Sequence, residues 1–298
     1  MAFWQLTVPT SPETSDGLTN FLWEQGALGV VEEEAPAEPA RLRAFFSETA
    51  SSTALLGAVR AYCASLRFLG LAVAAAEPEI APLLDAAWAS AWQQSFPARE
   101  VGERLLVAPP WEAAALPGHR VPVIIEPGRA FGTGHHGSTE GCLVLLERAL
   151  AEGPVSRVLD IGTGSGILAV AAVKLGAGSV LAIDVDPDAV AAARVNAERN
   201  GCADRIEVRL AEPAALPVAP HPVVVANLLT HTHLALRPVY ARLVAAAGAL
   251  ILGGILADED GQVGEALAAE GFTLRERLVL DGWSSLLLGQ TRLPRSLP

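Results

Sequence analysis

The sequence predicts a large doubly wound α/β domain that ends in an antiparallel hairpin, preceded by a small α+β domain. Three observations carry that prediction. From residue 155 onward, apolar runs at 155–160, 179–184, 222–227 and 248–253 read as buried parallel strands, with one more strand at 205–210. Helical stretches at 165–176, 187–200, 230–246 and 258–270 separate most of them, the alternation of a doubly wound sheet. The last two strand-like runs, 272–280 and 284–291, meet at Asp281-Gly282, a pair that closes hairpins.

Ahead of these, residues 3–8 read as a strand, 12–26 as a helix, 28–34 and 41–47 as strands, 51–69 as a helix and 71–76 as a strand. In the second helix Leu55, Leu56, Val59, Tyr62, Cys63, Leu66 and Leu69 recur at helical spacing. The order β-α-β-β-α-β describes a ferredoxin-like domain over residues 1–78. Residues 79–96 read as one helix stopped by Pro97, which makes 79–97 a linker helix and 98–298 the second domain. Trp88, Trp92 and Trp111 are expected to pack between the domains, a substrate platform being the other reading.

A chain of 298 residues that is 51% apolar can bury a large core. No segment reaches the roughly 18 consecutive apolar residues of a membrane helix; the best stretch, 54–76, carries Arg60 and Arg67. The N-terminus lacks a basic-then-apolar leader, so no signal peptide is expected. Cys63, Cys142 and Cys202 lie far apart and form no C-x-x-C. Neither a disulfide framework nor a metal site is expected, and a reducing cytoplasm fits. The net charge of −12 opposes direct nucleic-acid binding, which depends on phosphate contacts, and is compatible with steering a basic partner.

The chemistry concentrates in VLDIGTGSGIL (158–168), a strand running through glycines into a helix expected to begin near Ser165. Gly162 and Gly164 permit a tight turn whose amides can approach a ligand. A dinucleotide fingerprint would place its third glycine at position 167, which is Ile167; the glycine sits one residue earlier, at Gly166. The next strand ends at Asp184, where a carboxylate can accept hydrogen bonds from both hydroxyls of a ribose. Asp186, just before Pro187, is the better helix cap, which frees Asp184 for that role. A ribose acceptor alone does not choose between NAD and S-adenosylmethionine.

Several blocks in order resemble one family, the bacterial PrmA methyltransferases that modify ribosomal large-subunit protein 11. They are EPGRAFGTGHHGST (126–139), VLDIGTGSGILAVAAVKLGA (158–177), AIDVDPDAV (182–190), NAERNG (196–201), VVVANLL (223–229) and LILGGIL (250–256). The segment WQQSFPAREVGERLLVAPPW (92–111) is also similar, so the likeness spans about 85–291. Ahead of it, only element order and length match. The resemblance implies a Rossmann-like seven-stranded methyltransferase sheet and S-adenosylmethionine as cofactor. It implies that Thr139, Gly162, Asp184 and Asn227 bind that cofactor, with Asp160 and Gly164 in the same glycine motif and Thr133 and Gly134 in a loop folding over it. Where the family usually has Pro-Thr-Thr, this chain has Gly137-Ser138-Thr139, and Gly137 is expected to loosen the loop.

The expected activity is methyl transfer to amino groups of ribosomal large-subunit protein 11, at lysine side chains and the N-terminal amine, with Asn227 orienting the amine. The ferredoxin-like domain is expected to recognise the substrate, and a monomer in the cytoplasm is expected. Methylation of another protein or small-molecule amine is the alternative; a non-catalytic scaffold and an NAD-dependent dehydrogenase are further ones, the last opposed by Ile167. His135 and His136 lack further ligands at metal-binding spacing except Glu140, and His231 and His233 read as ordinary helix N-terminal residues.

Overall fold

The computed structural model describes residues 2–291 apart from 12, 28, 36–37, 48, 85–96, 114–117, 127–135 and 218. The chain divides into two units, Met1–Phe96 and Pro97–Pro298. Among the described residues no helix is long and apolar enough to cross a membrane.

In the first unit β1 (Ala2–Pro9), α1 (Ser15–Glu24), β2 (Gly29–Ala35), β3 (Glu38–Phe46), α2 (Ser52–Phe68) and β4 (Glu79–Leu84) follow one another. The sheet runs β2-β3-β1-β4 with all neighbours antiparallel, the ferredoxin-like arrangement. Two-residue alternation brings Leu6 and Val8 of β1 and Leu42, Ala44 and Phe46 of β3 into the core. Leu55, Val59, Cys63 and Leu66 of α2, spaced three or four apart, pack there with Leu18 and Leu22 of α1. Ser51 caps α2 by accepting the Ala54 N–H at 3.4 Å.

One element lies elsewhere than the pattern predicts. No strand forms over 71–76; the fourth strand is Glu79–Leu84, where the linker helix should begin. Alanines at 72 and 74–76 give a pleated surface little to pack, whereas Leu71 and Val73 reach the core from irregular backbone. Pro82 is tolerated because β4 is an edge strand. The rest of the expected helix, with Trp88 and Trp92, lies outside the described residues.

The second unit opens with a sheet that the sequence pattern does not predict. In it β5 (Arg99–Val101) is antiparallel to β6 (Leu105–Ala108), and β7 (Val121–Ile124) is parallel to β6. Next come α3 (Gly137–Ala151), β8 (Arg157–Ile161), α4 (Ile167–Lys174), β9 (Ser179–Asp184), α5 (Pro187–Arg199) and β10 (Ile206–Leu210). The chain continues through β11 (His221–Asn227), α6 (Thr230–Leu243), β12 (Val244–Leu256), α7 (Asp260–Ala269), β13 (Phe272–Leu280) and β14 (Trp283–Gln290). Strands β8 to β14 form one seven-stranded sheet of order β10-β9-β8-β11-β12-β14-β13. All pairs are parallel except those of β14, which is antiparallel to both neighbours. Asp281 and Gly282 close the hairpin at φ +49° and +79°.

Val158, Val180, Val225 and Ile251 pack with Leu143, Leu146, Val170 and Val190 from α3, α4 and α5. Leu159, Ile161, Val224 and Leu250 pack in a second cluster with Tyr240, Leu243, Val263 and Leu267 from α6 and α7. Burial on both faces is why these strands read as unbroken apolar runs. From β8 the chain runs outward to β10 and then returns to β11 on the other side of β8. The loops after β8 and β11 therefore diverge and leave a crevice at the carboxyl edge, the ligand position of such sheets.

Helix α3 is tied to the small sheet by charge. Glu147, which is buried, accepts the Glu103 and Arg104 N–H groups at 3.2 Å each, and Arg99 pairs with Glu140 at 2.7 Å. Glu147→Ala leaves two donors without their acceptor and should cost about 1–3 kcal/mol, read in urea melts. Unchanged stability would show that the turn at 102–104 holds itself.

Candidate functional site

Strand β8 delivers Asp160 and the glycine bend to the crevice. Gly162, at φ +71°, donates its N–H to the Ile183 carbonyl at 2.9 Å, and Thr163 donates to the same oxygen at 3.0 Å. The Gly164 N–H goes to Asp184 Oδ2 at 2.9 Å, while Asp184 Oδ1 accepts the Asp186 N–H at 3.0 Å. Each of these oxygens keeps a further lone pair, and Asp184 is only half-buried, so a vicinal diol can still bind there. Capping of α5 falls to Asp186, which accepts the Asp188 N–H at 2.8 Å ahead of Pro187. Helix α4 begins at Ile167, later than the pattern predicts, because Gly166 takes a left-handed φ of +82° as its N-cap. Ile167 itself is buried in the core.

Asp160 is fully buried. Its Oδ2 accepts the Thr163 hydroxyl at 2.6 Å, and its Oδ1 has no hydrogen-bond partner among the described residues. Burial pushes this carboxyl up to about 7; the Thr163 bond and the backbone N–H of Ala169 oppose the rise, and the nearby Asp184 charge adds to it.

At the end of β11, Asn227 Nδ2 donates to Thr139 Oγ1 of α3 at 3.1 Å. Its Oδ1 is buried and, among the described residues, unpartnered. A Cβ on Gly253 or Gly254 would lie 3.1 or 3.0 Å from that oxygen, and at Gly254, where φ is +75°, it would also collide with the Leu228 backbone carbonyl, so glycine lets β12 pass this close. The two halves of the crevice meet at Leu228: a Cβ on Gly162 would lie 2.5 Å from Leu228 Cδ2. His136 caps α3, with Nδ1 2.8 Å from Ser138 Oγ, and its ring centroid lies 4.7 Å from that of Trp283. The loop that Gly137 is expected to loosen lies mostly outside the described residues. A Cβ on Gly137 would stand 2.6 Å from the Leu280 carbonyl oxygen, so glycine lets the β13–β14 turn pack against α3.

The pattern of the ribosomal protein L11 methyltransferase (PrmA) family matches residues 2–291. The chain belongs to that family. It is 35% identical over 297 residues to the ribosomal protein L11 methyltransferase of Ectopseudomonas mendocina, covering 95% of this chain and 97% of that protein. It is 41% identical over 219 residues to the Geobacter metallireducens protein of the same name, covering 72% and 70%. The crystal structure of the ribosomal protein L11 methylase from Lactobacillus delbrueckii subsp. bulgaricus superposes with a TM-score of 0.61 at 31% identity. That likeness covers 66% of this chain and 100% of the other.

Of the residues that family resemblance singles out, the structure brings Asp160, Gly162, Gly164 and Asp184 together in one hydrogen-bonded bend, with Thr139 and Asn227 bonded across the crevice. Thr133 and Gly134 fall outside the described residues. The family block NAERNG also carries a role that the sequence reading left unassigned. Asn196 donates to the Ser165 carbonyl at 2.9 Å and accepts the Glu126 N–H at 3.2 Å. It thereby joins the glycine bend to the segment that follows β7. Asn200 accepts the Ile124 N–H at 2.9 Å. Two amides four residues apart on an otherwise alanine-rich helix were the available signal.

The buried Asp160 sets a sign for pH dependence. The native carboxyl keeps its proton up to about 7, whereas the unfolded one loses it near 3.8. Its contribution to stability therefore falls as pH rises through that window and is constant below it. In Asp160→Asn that slope disappears, so the stability difference should move in the variant's favour between about pH 4 and pH 7. Denaturant melts across that range check it; a difference that does not change with pH would refute the assignment.

Proposed function

We propose that this chain transfers methyl groups from S-adenosylmethionine to amino groups of ribosomal protein L11, at lysine side chains and the N-terminal amine. The observation that carries the reading is Asn227 Oδ1, a buried neutral acceptor, unpartnered among the described residues, beside the bend that Asp184 clasps. The chain's residues fit the cofactor: Asp184 offers the diol acceptor, and Asp160 Oδ1 offers a buried acceptor for a cationic donor. When bound, S-adenosylmethionine supplies a methyl group on a positively charged sulfur, which leaves as a neutral thioether.

The amine must attack through a free lone pair. A lysine is almost wholly protonated at neutral pH, and uncovering its lone pair costs about 4–5 kcal/mol. A carboxylate at the transfer point would raise that cost by holding the proton. Asn227 does not, because its amide carbonyl accepts a remaining N–H without carrying charge, which aims the lone pair while leaving the amine's acidity untouched. Alignment of this kind can contribute about 7–11 kcal/mol. The net charge of −12 then works at a distance, drawing a basic ribosomal protein toward the site. We assign recognition of that protein to the ferredoxin-like unit, and place the reaction in the cytoplasm.

Incubation with labelled S-adenosylmethionine and total ribosomal protein should label L11, and its mass spectrum should show methyl increments on lysines. Label on another protein, or on a small amine alone, would replace the substrate. Asp184→Ala should abolish binding of S-adenosylhomocysteine in calorimetry; full affinity would remove its ribose role. Asn227→Ala should slow turnover about a hundredfold, the scale expected of misplaced reactants. Unchanged kinetics would dismiss it.

A further inference from the structure

His233 is fully buried on α6, and both its ring nitrogens are engaged: Nε2 lies 2.8 Å from the Gly253 carbonyl oxygen and Nδ1 2.9 Å from the Tyr240 hydroxyl. A carbonyl oxygen only accepts, so Nε2 carries the hydrogen, Nδ1 presents its lone pair, and Tyr240 donates to it. The relay therefore runs in one direction, from Tyr240 through His233 to Gly253. Gly253 is the register partner of Asn227, and its carbonyl also accepts the Leu228 N–H at 3.1 Å. The residue that follows Asn227 is thus bonded to the same carbonyl that His233 grips. Three close approaches crowd the same point: a Cβ on Gly253 would meet Cys142 Sγ at 2.4 Å, the Ser138 carbonyl at 3.0 Å and Asn227 Oδ1 at 3.1 Å.

We propose that His233, oriented by Tyr240, is a positioning residue for the transfer step, gripping the Gly253 carbonyl from behind and so fixing the direction of Asn227 Oδ1. It touches neither substrate nor cofactor. The inference rests on the methyl-transfer reading for its rate measurement, but the hydrogen-bond relay can be checked without turnover. Burial holds the imidazole well below its ordinary value, to about 4, so it stays neutral and never adds a positive charge next to the amine.

Long-range proton–nitrogen spectra of histidine-labelled protein should show His233 in the Nε2–H form at neutral pH; the Nδ1–H form would overturn the proposal. His233→Leu should lower kcat about tenfold or more, since small misplacements near a reacting centre cost up to about a hundredfold. KM for the protein substrate and the affinity for S-adenosylhomocysteine should stay within about twofold. His233→Gln, whose amide can still donate to Gly253, should recover most of the lost kcat. Leu267→Ala, in the same core cluster but outside the relay, serves as the stability control and should lose thermal stability without losing kcat. If His233→Leu keeps its kcat, or loses it only in step with cofactor affinity, or behaves as Leu267→Ala does, the positioning role is wrong. If the wild-type chain itself methylates nothing, the functional reading fails, and the spectra still decide whether the relay exists.

Discussion

The bond from the Gly164 N–H to the Asp184 carboxylate, 2.9 Å long, joins the tips of β8 and β9, and the geometry of the crevice follows from it. With Gly162 and Thr163 both donating to the Ile183 carbonyl, the bend is held to the neighbouring strand along most of its length. A backbone so constrained must turn left-handed at Gly162, Gly164 and Gly166. Side chains are strained in that region, so the three glycines are a consequence of the weld to β9. Leu228 then lies directly against Gly162, which carries the constraint across to β11.

A second constraint is polar satisfaction. Burying a polar group without a partner costs about 1–3 kcal/mol. Thr163 satisfies one oxygen of Asp160, Thr139 engages the nitrogen of Asn227, and His233 is satisfied on both sides. Asp160 Oδ1 and Asn227 Oδ1 belong to a larger set of buried side-chain atoms unpartnered among the described residues, which includes Thr230 Oγ1, Ser284 Oγ and Ser285 Oγ, and these two flank the crevice. Under the proposed reading, a ligand with donors at both points would satisfy these two. The same logic separates the helix-capping Asp186 from Asp184, two residues apart yet bonded to different tasks.

Much of the fold was legible because doubly buried strands leave apolar runs and helices leave periodic ones. The strand order was partly legible too, since the Asp281-Gly282 pair announces a hairpin. The fourth strand of the first unit was not, because EIAPLL combines helix-forming residues with a proline that an edge strand accepts and a central strand would refuse. The three-stranded sheet of β5 to β7 escaped notice because its strands are three or four residues long, too short for alternation to register. In the site, Asp184 and the glycines were readable from local spacing. Asn196 and His233 were not, since their partners lie 31 and 20 residues away along the chain and only the fold brings them together.

Charge is distributed so that attraction and chemistry do not compete. Exposed carboxylates give the chain its net charge of −12, while Asn227, the residue proposed to meet the amine, is bonded to the Thr139 hydroxyl and is backed by a Gly253 carbonyl that a neutral imidazole holds. Asp160 is the carboxyl buried closest to the glycine bend, and burial raises it to about 7, so even this group is partly uncharged at neutral pH. A carboxylate in Asn227's place would attract an ammonium more strongly and hold its proton more tightly, trading rate for affinity. With long-range attraction left to the surface, the interior acceptor can be neutral, and a neutral acceptor works only if its direction is fixed. That requirement gives a use to the two hydrogen bonds, from the His233 ring and the Leu228 N–H, that converge on the Gly253 carbonyl behind it.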